Sequence, residues 1–454
     1  MTTKEKGQSD GLLVRDIALS ALLQILEEGQ FCHLVLRQAL EKYGWLQVRD
    51  RSFLTRLVQG TVERMPELDS SLNQYSKVPV KKMKPVIRTI LRMTAYQIYY
   101  MDSVPDSAAC NEAVKLAGKR GFASLKGFVN GVSRSVARGK AERILPVSWA
   151  ERYSMPDWII NNYKACGGSV RTEQALQFLL NGDKSETTVH CNTSKASIEQ
   201  IKASLTAEQV QLRQSELVPE VLYLRDFEAL EELEAFENGW IQVQDLASVF
   251  ACLAADVQPG DFCVDMCAAP GGKSIFAADR MKGQGTVISR DLSEYKTDYI
   301  KENQERCGMT VIKPQVWDAG ILDESLVEKA DVVIADLPCS GLGVIGGKPD
   351  IKYHQSPEGA KELAALQRKL LSVVWQYVKP GGVLVYSTCT VNPAENQENR
   401  DWFLEQFPFE PDSLEGRIPN AVLGETGKNG YVQLLPGEYG GNGFYFARMR
   451  RKEQ

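Results

Sequence analysis

"DFCVDMCAAPGGKSIFAADRM", residues 261–281, reads as an apolar strand, a stiff glycine turn and the start of a helix. Short apolar runs recur after it: "GTVISRD" (285–291), "VIKPQVWD" (311–318), "ADVVIADLP" (330–338) and "GGVLVYSTC" (381–389), each followed or preceded by a helical stretch. Continuous hydrophobic runs with helices between them predict a parallel sheet covered on both faces. The last such stretch, "YVQLLPGEYGGNGFYFARMR" (431–450), reads as two strands about a Gly-rich turn, closing the sheet with antiparallel pairing. In such a doubly wound fold, ligands collect at the carboxyl ends of the strands.

Those strand ends carry chemistry. Gly271 and Gly272 let the backbone approach a ligand closely, and Pro270 stiffens the turn. The pattern is not GxGxxG, and it is not the GxxxxGK[ST] of a phosphate-cradling loop. Asp291 ends the second strand, twenty residues past Gly271, where an acid can accept both hydroxyls of a ribose. Asp318 is expected at the end of the third strand, within reach of an adenine amino group. Asp336 ends the fourth and Asp265 lies on the first. A rim this acidic suits a cationic nucleoside better than a pyrophosphate, and S-adenosylmethionine, with its sulfonium, fits. Candidate cofactor contacts are Cys267, Ala268, Ala269, Pro270, Gly271, Gly272 and Lys273, with Asp291, Asp318 and Asp336.

Two cysteines stand on neighbouring strand ends. Cys389 follows "LVYST"; Cys339 follows "ADLP", three residues after Asp336. Buried cysteines are mostly packing, and Cys252, Cys263 and Cys307 are read so. A second cysteine, with Pro before it and Ser-Gly after, favours a nucleophile at Cys389. Lowering its pKa needs a positive charge nearby, for which Lys348 and Lys273 are candidates.

The rest of the chain is different in kind. Residues 1–140 carry 22 basic against 13 acidic side chains, a net +9, while the remainder of the 454 residues carries 31 against 45, a net −14. A basic module joined to an acidic one points to a polyanionic partner. The basic module reads as all-helical: "VRDIALSALLQI" places Val14, Ile17, Ala18, Ala21, Leu22 and Ile25 on one stripe. Basic residues cluster at Lys81, Lys82, Lys84 and Arg88, and again from Lys115 to Lys140. Beyond it, "ILPVSWAERYSMPDW" reads as a connector. "TTVHCNTSK" and "EVLYLRD" read as strands around the helix "SIEQIKASL", and "EALEELEAFENG" as an acidic helix or cap.

Composition narrows the class. The ten cysteines fall at irregular spacings without a CxxC pair, as in a reduced cytosolic protein. Three scattered histidines (His33, His190, His354) argue against a zinc site and offer few bases for a Ser-His-Asp triad. No apolar run has the length of a membrane span, and the polar start "MTTKEKGQSDG" lacks the apolar segment of a signal peptide. The expected location is cytoplasmic.

"RDRSFLTRLVQGTVER", "VPDSAACNEAVKLA" and "FVNGVSR" resemble, in that order, the NusB-like RNA-binding fold. "DMCAAPGGKS", "DLPCSGLG" and "YSTCTVNPAEN" resemble the signature stretches of RNA cytosine-5 methyltransferases. The resemblance covers nearly the whole chain and is weakest between residues 143 and 235. It implies a multidomain protein: a NusB-like helical domain (1–142), a small α+β linker module (143–236) and a Rossmann-like S-adenosylmethionine-dependent methyltransferase domain (237–454). It implies 16S rRNA, naked or partly assembled, as substrate, with no metal and no obligate protein partner. It gives Cys389 the role of nucleophile, Cys339 that of assisting proton removal and release, and Asp336 that of supporting N3 of the base. Which group takes the proton is left open.

The chemistry agrees with that assignment. Adding a thiolate to carbon 6 of cytosine makes carbon 5 enamine-like and able to take an electrophilic methyl group, which divides one hard step into easier ones. The base must be unpaired or flipped out to be reached. Ala394, Gln397, Asn442 and His190 depart from the family pattern and bear on fine substrate contacts. Alternatives are the same chemistry on tRNA or 23S rRNA, an NAD-type oxidoreductase, or an RNA-binding module without activity. The missing GxGxxG argues against the second and the intact cysteine pair against the third.

Overall fold

In a computed structural model of the protein, which describes residues 11–143, 146–183 and 185–453, the stripe Val14 to Ile25 lies buried along helix α1 (Gly11–Leu26). The polar start of the chain and Ile144 and Leu145 of the connector lie outside the described residues. The chain divides into two units, Met1–Asn161 with Gly347–His354, and Asn162–Gly346 with Gln355–Gln454.

The first unit is helical. Helices α2 (Cys32–Lys42), α3 (Val48–Glu63), α4 (Met65–Tyr75), α5 (Pro85–Tyr100), α6 (Asp106–Lys119) and α7 (Lys126–Arg138) enclose, with α1, a core that includes Leu22, Leu54, Leu57, Ile90 and Val129. Each fully buried side chain of this kind stabilises the fold by about 1.5–3 kcal/mol. Pro85 at the first position of α5 suits a helix start, where the missing N–H has no partner to lose. Part of the basic surface is neutralised locally: Lys119 and Arg120 pair with Asp16 at 2.9 and 2.6 Å, and Arg88 pairs with Glu27. Lys81, Lys82 and Lys84 are exposed.

The second unit holds two sheets among the described residues. The smaller is antiparallel, in the order β2-β3-β1-β4, from β1 (Thr187–Cys191), β2 (Gln211–Gln214), β3 (Val221–Arg225) and β4 (Ile241–Val243). The helix Ile198–Ala207 packs with it, its N-terminus closed by a reciprocal cap between Ser197 and Gln200. Strand β4 runs beyond residue 236, because its pairing with β1 draws the stretch after the acidic segment back into this sheet. The acidic segment itself is helical as expected, a short 3-10 helix, Leu230–Glu232, followed by a four-residue α-helix, Glu234–Glu237.

The larger sheet comprises β5 (Phe262–Met266), β6 (Thr286–Asp291), β7 (Ile312–Val316), β8 (Ala330–Asp336), β9 (Val378–Thr388), β10 (Phe409–Pro411), β11 (Tyr431–Leu434) and β12 (Phe444–Arg451). Its order is β10-β12-β9-β8-β5-β6-β7, with β11 also on β12. Strands β9, β8, β5, β6 and β7 are parallel, and β12 returns antiparallel to β9 as the sequence led us to expect. Alternate residues face opposite cores: Val264, Val333 and Leu384 on one side, Cys263, Val332 and Val383 on the other. Strand order reverses between β5 and β8, and the crevice at their carboxyl ends is where such folds bind ligands. Among the described residues no helix is long and apolar enough to cross a membrane.

Candidate active site

The turn after β5 is shaped by its backbone. Cys267 has φ 60° and Gly271 φ 105°, after which the helix Gly272–Met281 begins. A side chain at Gly271 would be strained in that conformation, whereas Gly272 has ordinary space around it. Asp291, at the end of β6, holds the turn: its Oδ2 accepts from the Ala269 N–H at 3.0 Å and its Oδ1 from the Leu292 N–H at 2.8 Å. Lys296 lies 3.1 Å from the same carboxylate. Thus Asp291, expected to meet a ribose, is the buried brace of the turn after β5.

A cavity of about 170 Å³ lies at the β5/β8 crevice. Cys267, Ala268, Ala269, Pro270, Gly272, Lys273 and Asp336 line it, together with Gln244, Asp245 and Asp265. The Lys273 Nζ pairs with Asp336 Oδ2 at 2.6 Å, and the Ser387 hydroxyl donates to Asp336 Oδ1 at 2.7 Å. Burial pushes the Asp265 carboxyl up to about 7, against the Ser274 hydroxyl that donates to its Oδ2 at 2.5 Å. Its other oxygen, Oδ1, is buried without a hydrogen-bond partner. Asp245 caps the helix Leu246–Ala255 through the Ala247 N–H at 2.9 Å and takes the Asn442 side-chain amide at 2.8 Å. Three carboxyl groups against one ammonium, one of them with an unused acceptor, fit the cationic end of S-adenosylmethionine. Asp318 is exposed, two residues beyond β7, and its Oδ1 caps the Gly320 N–H at 2.8 Å. The third strand ends at Val316, two residues short of Asp318, after a last bond to β6 from the Trp317 N–H to the Asp291 carbonyl at 2.9 Å.

The two sequence-selected cysteines meet. Cys339 Sγ and Cys389 Sγ are 3.3 Å apart, on the loops that leave β8 and β9. Hydrogen bonding to Cys389, then burial, raises the Cys339 thiol well above its ordinary value, so Cys339 keeps its proton. Of the two lysines considered as the positive charge near Cys389, Lys273 pairs with Asp336 and Lys348 acts on His33 in the helical unit. Gly343 braces the pair from behind, donating to the Cys389 carbonyl at 3.0 Å and accepting from the Gly443 N–H at 2.9 Å. A Cβ at Gly343 would overlap Gly443 O at 1.9 Å.

Cys252, Cys263 and Cys307 are buried in the apolar cores, as read from the sequence. His190 is buried against Phe276, ring centroids 4.6 Å apart, and burial lowers it to about 4. Not singled out from the sequence were Ser387, which donates to Asp336, and Ser340, Glu395 and Gln433, which hydrogen-bond within the loops around Cys339 and Cys389. A signal was present for Glu395, a carboxyl residue inside an otherwise neutral turn. Among the described residues no group of three or more His, Cys, Asp or Glu side chains could hold a metal ion.

Known proteins place the chain. Residues 252–450 match the family model described as 16S rRNA methyltransferase RsmB/F, and residues 13–138 match the NusB family. The Bacillus subtilis protein named "Probable ribosomal RNA small subunit methyltransferase B" is 35% identical over 447 residues, covering 97% of this chain and 99% of its own. Ribosomal RNA small subunit methyltransferase B of Yersinia pestis is 30% identical over 450 residues, with 97% and 99% covered. Among solved structures, the crystal structure of PH0851 superposes with a TM-score of 0.79 at 25% identity, covering 98% of this chain and all of that one. A methyltransferase homolog protein from Pyrococcus horikoshii reaches 0.55 at 26% identity, over 66% of this chain and 97% of that one. Matched from end to end at such identity, with a NusB-like helical domain and a Rossmann-like catalytic one, the chain belongs to the family of ribosomal RNA small subunit methyltransferase B and is a methyltransferase.

Proposed function

We propose that the protein methylates carbon 5 of a cytosine in 16S rRNA, with Cys389 as covalent nucleophile and S-adenosylmethionine as donor. The observation that carries this is the 3.3 Å pairing of Cys389 with Cys339 at the rim of the cavity-bearing sheet. When bound, S-adenosylmethionine supplies the electrophilic methyl group. The turn from Cys267 to Lys273 would hold it, with Asp291 toward the ribose and Asp318 toward the adenine. Asp265 Oδ1 offers the cationic end a buried acceptor.

Cys389 adds through its thiolate to carbon 6. Asp336 supports N3, and the Lys273 ammonium beside it, 2.6 Å away, offers a proton at the same place. Carbon 5 then takes the methyl group, S-adenosylhomocysteine being the leaving group, and keeps its hydrogen until a water oriented by the protonated Cys339 thiol removes that proton. The carbon 6–sulfur bond breaks with the loss, restoring the aromatic ring and releasing Cys389. Naked or partly assembled 16S rRNA suits the substrate role, since the target base must be unpaired. The exposed lysines of residues 81–84 would meet phosphates.

The deciding experiment is transfer of a labelled methyl group from S-adenosylmethionine to unmodified 16S rRNA by wild type and Cys389→Ala. Label in one 5-methylcytosine with wild type, and none with the variant, is the expected result. Undiminished transfer by Cys389→Ala would remove the nucleophile assignment. Transfer to tRNA or 23S rRNA in place of 16S rRNA would keep the chemistry and change the substrate.

A further inference from the structure

The turn after Cys389 contains a carboxyl group that the mechanism does not use. Glu395 is fully buried. Its Oε2 accepts from the Ser340 N–H at 2.8 Å and from Gln367 Nε2 at 3.1 Å. Its Oε1 accepts from the Ser340 hydroxyl at 2.5 Å and from Asn392 Nδ2 at 2.8 Å. Every one of these donors is neutral, and no ion pair among the described residues includes Glu395. Burying a carboxyl without a cation is costly, so a turn with only itself to stabilise would do better with an amide.

The contacts show what that carboxyl joins. Ser340 follows Cys339 in the chain, and its hydroxyl lies 2.7 Å from the Thr390 hydroxyl, next to Cys389. The residue after Glu395, Asn396, completes the other half: its Oδ1 accepts from the Thr388 hydroxyl at 2.6 Å and its Nδ2 donates to the Thr390 carbonyl at 3.0 Å. One turn therefore grips both neighbours of Cys389 with Asn396, and the neighbour of Cys339 with Glu395. Its negative charge also helps Cys339 keep its proton.

We propose that Glu395 is a positioning residue that holds the Cys339 loop against the Cys389 loop and so sets the separation of the two sulfurs. It is not among the residues that line the cavity. The proposal rests on the methyl-transfer reading given above for what the sulfurs do, but the geometry it asserts can be measured without that reaction.

The test compares Glu395→Ala and Glu395→Gln with wild type in full-length protein, by three readouts. The first is oxidation by diamide, which takes two electrons and two protons from a thiol pair and leaves a disulfide. Its rate between Cys339 and Cys389 reports their proximity. The second is affinity for S-adenosylmethionine, and the third is methyl transfer. A loop misplaced by about 1 Å costs about 100-fold in kcat. That loss, slower disulfide formation and unchanged S-adenosylmethionine affinity are expected for Glu395→Ala, with Glu395→Gln intermediate because an amide keeps an acceptor for the Ser340 N–H. Should Glu395→Ala fail to fold, Glu395→Gln alone decides. Wild-type rates of both oxidation and transfer in Glu395→Gln would overturn the proposal, as would a loss of S-adenosylmethionine affinity in step with kcat. If wild type fails to methylate rRNA while the oxidation rates still separate, the methyl-transfer reading falls and the positioning role stands.

Discussion

Cys339 and Cys389 are fifty residues apart in the chain, yet their sulfurs lie 3.3 Å from each other because β8 and β9 are adjacent parallel strands with their carboxyl ends level. In the proposed mechanism the arrangement separates two jobs: Cys389 attacks, and Cys339 keeps its proton and assists release. Cys339→Ala should leave the first step intact and slow the last. RNA should then migrate with the protein on a denaturing gel, in an amount that grows with time. Normal turnover without such a species would show that Cys339 is dispensable.

Lys273 and Asp336 form a largely buried pair, with side-chain exposures of 12% and 28%. Removing one partner of such a pair leaves an uncompensated charge and destabilises by about 3 kcal/mol. Lys273→Met should lower the urea unfolding free energy of the catalytic unit by that amount, and adding Asp336→Asn should recover much of it. Both variants should lose methyl transfer. A double variant no more stable than Lys273→Met would mean that the charge pairing contributes little.

Two buried groups tie stability to pH with opposite signs. An unfolded Asp265 loses its proton near 3.8 while the folded one keeps it up to about 7, so its contribution to stability falls as pH rises through that interval. An unfolded His190 is protonated below 6.5 while the folded one stays neutral down to about 4, so its contribution falls as pH drops. Between pH 4 and 6.5 the two slopes, each about 1 kcal/mol per pH unit, largely cancel. Asp265→Asn should make stability rise with pH across that window, and His190→Gln should make it fall. Urea unfolding at three pH values checks this, and unchanged slopes in both variants would contradict it.

Lys81, Lys82 and Lys84 are exposed at the start of α5. If they meet phosphates, replacing all three by Ala should weaken binding of a 16S rRNA fragment at low salt. It should also flatten the dependence of log K on log salt by about 0.7–0.9 for each phosphate no longer neutralised. Thermal stability should be unchanged, since none of the three is buried. An identical salt slope would move the RNA surface elsewhere on the helical unit.

Much of this was legible before any coordinates. Continuous apolar runs such as "ADVVIAD" announce strands buried on both faces, because a strand with helices above and below has no polar side to declare. The stripe from Val14 to Ile25 announces a helix by its spacing, and Cys339 and Cys389 both follow strand ends, where parallel sheets present side chains to a ligand. Less legible were β4, whose three residues are too short to show a period, and the end of β7, where the strand stops at Val316, two residues before Asp318.

The sequence by itself determined the two architectures, the order of their elements and which residue types stand at the strand ends. These follow from local periodicity and from residues near one another in the chain. Tertiary structure alone decided that Lys273 answers Asp336, that Asp291 braces the turn after β5, and that Glu395 joins the two cysteine loops. Those pairings cross 63, 22 and 55 residues, and a partner at such distance is selected by which strands lie side by side, a choice made by the packing of the whole sheet.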